Sequence, residues 1–185
     1  MEQIKRIQRT LKYKGAIVDV YSDTMQLPDG TTAEWDFVAH RKGAAAVVPV
    51  TSEGEILMVH QYRNALDRET IEIPAGARDS LTEDTKVCAL RELEEETGYR
   101  AGKIEKLLSL KTTVAFCNEF IDVYLATELI PGKQNLDPEE FIDVHTYKLQ
   151  ELLDMIYAGT IQDSKTVAGV LAYYGKYGNR IEEKE

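Results

Sequence analysis

The chain has 185 residues, 43% of them hydrophobic and 29% charged, a balance that suits one globular domain with a sizeable core, or one domain plus a small appendage, and excludes a disordered chain. Lys and Arg number 22 against 32 Asp and Glu, and the net charge of -10 argues against gripping nucleic acid or an anionic membrane by bulk electrostatics. No apolar run approaches the roughly 18 residues of a membrane span, the N-terminal residues lack the pattern of a secretory signal, and Cys88 and Cys117 have no metal-ligand spacing, so a cytoplasmic protein with reduced thiols is expected.

In chain order, residues 10–24 mix Val and Tyr with polar side chains and read as strands. Pro28-Asp29-Gly30 is a turn signal, and residues 31–40 read as the returning strand, which gives a small N-terminal β unit. The run Ala44 to Val50 is continuously apolar, as a strand buried on both faces would be. Ser52-Glu53-Gly54 turns it into a second apolar strand, Ile56 to Val59, and a short strand from Thr70 ends at Pro74-Ala75-Gly76. Residues 83–97 are rich in helix formers and stop at Gly98. Strand-like segments follow at 104–112, 120–126 and 141–147, with a polar loop from Pro131 to about Glu140. Leu149, Leu152, Leu153 and Ile156 have helical spacing, and a last helix is expected from about Lys165 to Tyr174, capped by Asp163 or Ser164. This order predicts a mixed α/β (α+β) fold with helices packed on a sheet.

The stretch Gly76 to Tyr99 carries the chemistry. At about 100° per residue, Val87, Ala89, Leu90 and Leu93 fall on one side of the helix, with Glu92, Glu95 and Glu96 opposite. Three like charges on one face repel each other, and Arg91 offsets only part of that. A solvated acidic face is one reading. The other is an all-oxygen site for Mg²⁺ or Mn²⁺, built from the carboxylates and a backbone carbonyl of the turn before the helix.

Glu83, then seven residues, Arg91-Glu92-Leu93, one residue, Glu95-Glu96, one residue and Gly98-Tyr99 resemble the Nudix box. Six residues, not the usual five, separate Gly76 from Glu83, and the insertion falls in a loop. The resemblance implies a loop-helix-loop that binds divalent cations in a mixed β-sheet sandwiched by helices. By position, Glu92 and Glu96 would be metal ligands, with Glu95 as a further ligand or their partner and the Ala75 carbonyl as another ligand, while Arg91 and Glu83 would orient the glutamates. The implied reaction is hydrolysis of a nucleoside diphosphate linked to another group.

Beyond the box, Gln61-Tyr62-Arg63, Glu72-Ile73-Pro74-Ala75-Gly76 and Glu139-Glu140-Phe141-Ile142-Asp143-Val144 look like the ADP-ribose pyrophosphatase subfamily. That likeness implies a homodimer with shared active sites, residues 1–42 being exchanged between protomers and residues 43–185 forming the catalytic domain. Trp35 would stack on the adenine, or else serve as a core or interface residue. Ile17, taken as lying about opposite Trp35, would cover the other face. Arg63 would pair with a substrate phosphate or a nearby carboxylate, and Glu72 would meet adenine or hold Arg63. Glu140, with Glu139 as the alternative, would supply the general base, a role also open to Glu95. Relatives often carry Ser-Pro-Gly where this chain has Thr113-Val114-Ala115, which leaves GDP-mannose or another nucleotide sugar as alternative substrates and a non-catalytic sensor as a third reading.

Overall fold

The computed structural model describes residues 3–182 and falls into two units, Met1–Gly43 with Lys111–Phe120, and Ala44–Leu110 with Ile121–Glu185. In the first, β1 (Lys5–Lys14), β2 (Val18–Gln26) and β3 (Thr32–His40) form an antiparallel sheet in the order β1-β2-β3. The Pro28-Asp29-Gly30 turn closes the β2–β3 hairpin. Gly30 supplies the positive φ of 84°, and Asp29 Oδ1 accepts the Thr31 N–H at 3.0 Å. Arg9 bridges β1 to β2 through two 2.6 Å bonds to Asp23 and lies 3.8 Å from the centre of the Phe37 ring. The segment 111–120 joins the same unit: Phe116 O accepts from Val38 N at 2.7 Å, and Asn118 Oδ1 from His40 N at 2.8 Å.

The second unit holds two sheets. One has the order β10-β5-β6, from β5 (Ile56–Arg63), β6 (Arg68–Glu72) and β10 (Ile142–Tyr147). The other has the order β7-β4-β9-β8, from β4 (Ala44–Pro49), β7 (Ala75–Ala77), β8 (Tyr99–Lys111) and β9 (Phe120–Pro131). β4 pairs parallel with β9 and antiparallel with β7. Its apolar run is buried throughout because both faces are covered. Ala45 and Val47 pack with Cys88, Ala89 and Leu93 of α1 (Thr85–Thr97). Ala46 and Val48 pack in the cluster that holds Leu152 and Leu153 of α2 (Leu149–Tyr157) and Val170 of α3 (Ser164–Glu182). The expected sheet between helices is therefore present.

Three expectations need correcting. Val87 is 55% exposed, and Cys88 takes its place in the core, so the buried face of α1 is rotated by one residue. α3 continues to Glu182, well beyond Tyr174. The sheet register sets Asp23 opposite Trp35, while Ile17 lies before β2, beyond the Val18–His40 pair, and is 69% exposed. The hairpin turn fixes that register, so Ile17 cannot cover a ring held by Trp35 from across the strand.

Candidate functional site

The site is built where α1 crosses the turn between β6 and β7. Asp84 caps the helix by accepting the Lys86 N–H at 2.7 Å, and Gly98 ends it in the left-handed conformation at φ 75°. With Cys88, Ala89 and Leu93 turned into the sheet, Glu92 and Glu96 are carried under the turn rather than into solvent, and only 7% and 2% of their surfaces remain exposed. The Ala75 N–H donates to Glu96 Oε2 at 2.9 Å. Gly76 allows Glu92 to approach: a β-carbon there would stand 2.2 Å from Glu92 Oε1.

Arg91 ties the acidic groups together. Its Nη1 donates to Glu92 at 2.7 Å and to Glu95 at 2.9 Å, its Nη2 to the Ala77 carbonyl at 3.0 Å, and its Nε lies 3.4 Å from Glu83 Oε1. Glu83 in turn accepts the Asp79 N–H at 2.6 Å, which fastens the loop carrying the inserted residue to the helix.

Burial, the Glu95 charge and the Glu140 charge outweigh Arg91 and push the Glu92 carboxyl up to about 7. Burial, with Glu92 and Glu140 nearby, pushes Glu96 up to about 8 despite the Ala75 N–H. Two buried carboxylates with too little positive charge beside them form a donor set that a hard divalent cation fits. Among the described residues no three Asp, Glu, His or Cys side chains converge as they stand.

The polar loop brings Glu140 close enough for its charge to be felt at both Glu92 and Glu96. Its start is pinned to the end of α1, with Gln134 Nε2 donating to the Glu96 carbonyl at 2.7 Å and Asn135 N to the Glu95 carbonyl at 2.9 Å. Residues 137–140 line a surface pocket of about 410 Å³, and Glu139 is exposed. On the other side, Arg63 Nε and Nη2 grip the two Glu72 oxygens at 2.8 and 2.7 Å. Burial would raise the Glu72 carboxyl, but Arg63 and Lys165 hold it down at about 2. The Glu72 hydrogen bond holds Arg63 above the ordinary guanidinium range.

Glu72, Ala75, Arg91, Glu92, Glu95, Glu96 and Glu140 thus gather in the second unit, with Arg63 bound to Glu72. Trp35 belongs to the first unit, where it lines a pocket of about 780 Å³ with Val20, Glu34, Asp36, Val38, Ala115 and Phe116. Two groups escaped sequence reasoning. Lys165 and Thr166 are buried at the start of α3, and Lys165 binds Glu72. The lysine directly after a predicted helix cap was their only signal. Gln61 sits two residues before Arg63 on β5, and its Nε2 is the one buried side-chain polar atom without a hydrogen-bond partner among the described residues. The Gln61-Tyr62-Arg63 segment stands out in the sequence, but nothing there gives Gln61 a role of its own.

The NUDIX domain family profile matches residues 40–168. The chain is 38% identical over 168 residues to the ADP-ribose pyrophosphatase of Bacillus subtilis (strain 168), covering 90% of each chain. It is 42% identical over 169 residues to the methanol dehydrogenase activator of Bacillus methanolicus, again over 90% of each. A solved structure titled "Crystal structure of ADP compounds hydrolase" superposes with a TM-score of 0.87 over 97% of both chains at 15% identity, a likeness of fold. Together with the carboxylate helix and its glycine-bounded turn, these matches show that the chain belongs to the Nudix family.

Proposed function

We propose that this chain hydrolyses ADP-ribose to AMP and ribose 5-phosphate, with Mg²⁺ as the working cation and Mn²⁺ able to replace it. The observation that carries the reading is the buried Glu92 and Glu96 pair beneath the Ala75 turn, with Glu140 near enough for its charge to act on both. The likeness to an ADP-ribose pyrophosphatase along 90% of the chain supports the substrate. Nudix hydrolases generally use divalent metals, and the donor set here suits them.

In this reading the Ala75 carbonyl, Glu92, Glu95 and Glu96 hold the ions, which when bound neutralise the diphosphate and activate water. Arg91 releases Glu92 and keeps Glu95 oriented. Glu140 accepts the proton of the attacking water, with Glu139 next in line. Arg63 meets the diphosphate through Nη1, the nitrogen that Glu72 leaves free. Trp35 offers its indole to the base, a stack worth about 1–3 kcal/mol. Catalysis is then mostly positioning and charge stabilisation. The test is product analysis from a panel of nucleotide sugars with Mg²⁺. AMP from ADP-ribose, abolished by EDTA, supports the reading, and preferred cleavage of GDP-mannose or of none overturns it.

A second reading, activation of an alcohol dehydrogenase, is favoured by the 42% identity to the methanol dehydrogenase activator. Adding the chain to methanol dehydrogenase would raise its rate if that role is shared. An inactive Glu96→Gln variant separates activation by hydrolysis from activation by contact. The proposal also includes a homodimer that exchanges residues 1–42 between protomers and leaves residues 43–185 as the catalytic domain. It is supported by the exposed apolar side chains of β1, namely Ile7, Leu11 and Tyr13. A cytoplasmic setting completes it. No helix among the described residues is long and apolar enough to cross a membrane, and both cysteines are free.

A further inference from the structure

The start of α3 reaches the back of the site through two buried side chains. Thr166 Oγ1 accepts the Ile73 N–H at 3.0 Å and donates to Asp163 Oδ2 at 2.6 Å. Ile73 is two residues before Ala75, whose N–H holds Glu96, so this contact fixes the helix start to the turn beside the carboxylates. Lys165, 7% exposed, donates its ammonium to Glu72 Oε2 and, at 2.9 Å, to Asp163 Oδ2. Thr70 Oγ1 donates to Glu72 Oε1 at 2.7 Å. Glu72 therefore carries one negative charge and is shared between two cations, Arg63 and Lys165.

The sharing has a consequence for Arg63. Arg63, Lys165, Glu72 and Asp163 together carry no net charge. Without the ammonium the group carries one negative charge, it lies beside carboxylates that already repel an anion, and the Glu72 charge falls on Arg63 alone. A buried carboxylate facing one cation spends that cation's charge on itself, and little field is left for a second anion.

Resting on the hydrolase reading, we propose that Lys165 is a positioning residue that shares Glu72 so that Arg63 can serve the substrate diphosphate. Lys165 touches no reacting atom. It acts through Glu72, on the strength with which Arg63 receives a phosphate oxygen.

The test compares Lys165→Met, Lys165→Arg, Arg63→Ala and the Arg63→Ala/Lys165→Met pair by steady-state ADP-ribose hydrolysis, by titration with pyrophosphate in Mg²⁺, and by thermal melting. Lys165→Met is expected to raise KM and the pyrophosphate Kd about tenfold, with kcat within about twofold. Lys165→Arg recovers most of the loss, and Lys165→Met adds nothing once Arg63 is gone. An unchanged KM, a fall in kcat alone, or full additivity in the double variant overturns the proposal. Should Lys165→Met fail to fold, Glu72→Gln/Lys165→Met is compared with Glu72→Gln. Equal KM values support coupling through Glu72, and a tenfold difference overturns it. A wild type that turns over no nucleotide sugar overturns the hydrolase reading only, because the pyrophosphate titration does not depend on turnover.

Discussion

At the scale of single residues, the site concentrates charge where water is scarce. Glu96 is 2% exposed and lies near the charges of Glu92 and Glu140, which makes it costly to ionise without a cation beside it. Changing Glu96→Gln keeps its size and its bond from the Ala75 N–H and removes the charge. ADP-ribose turnover in saturating Mg²⁺ is expected to fall at least about 100-fold, and a rate within a few-fold of wild type would remove Glu96 from the ligand set. Glu72 makes the opposite case. Burial opposes its ionisation, but Arg63 and Lys165 depress its carboxyl to about 2 in the fold, below the ordinary 4.5. A depressed carboxylate adds stability that is fully present above its unfolded value and is lost as pH falls towards its folded one. Urea unfolding is therefore expected to show stability declining from about pH 5 down to pH 2. Glu72→Gln should flatten that limb and be less stable than wild type at neutral pH.

At the scale of elements, the turn matters as much as the helix. A side chain at Gly76 would collide with the Glu92 carboxylate at 2.2 Å, the group that in the proposed mechanism passes from Arg91 to an ion. Gly76→Ala should reduce turnover by about 100-fold, since displacements of about 1 Å cost that much, while circular dichroism and melting stay near wild type. A variant with full activity would show that Glu92 ligates from another position. The helix and its glycine stop were legible because each follows from residue type and spacing along one element, whereas the burial of Glu92 and Glu96 beside Ala89 and Leu93, rather than opposite them, was not. What stayed hidden depends on distance across the fold. Lys165 and Glu72 are separated in sequence by 93 residues, and no periodicity in either segment announces their pairing. Val87 and Cys88 exchanged roles for a similar reason. A helical wheel gives the width of an apolar face, and the sheet beneath decides which edge is covered.

For the molecule as a whole, the chain of strands and helices could be read in order, down to the doubly buried β4, except for β7, whose residues read as the end of a strand and a turn. The register of the first sheet could not, because a hairpin's pairing depends on its turn geometry, and this one sets Asp23 opposite Trp35. The exchanged dimer is tested by light scattering over a concentration series, with twice the chain mass expected throughout the micromolar range. A monomer at those concentrations with full activity would rule out shared sites. One further consequence follows from the divided first unit, since the backbone passes between units after Gly43, after Leu110 and again after Phe120. During synthesis the amide of His40 must wait for Asn118, a partner 78 residues downstream, and Val38 waits similarly for Phe116. The edge of β3 is thus bare on the nascent chain until the Ala44–Leu110 part of the second unit has been made. A cut at Gly43 does not excise one unit from the other either, because it strands the Lys111–Phe120 segment without the strand it was made to complete.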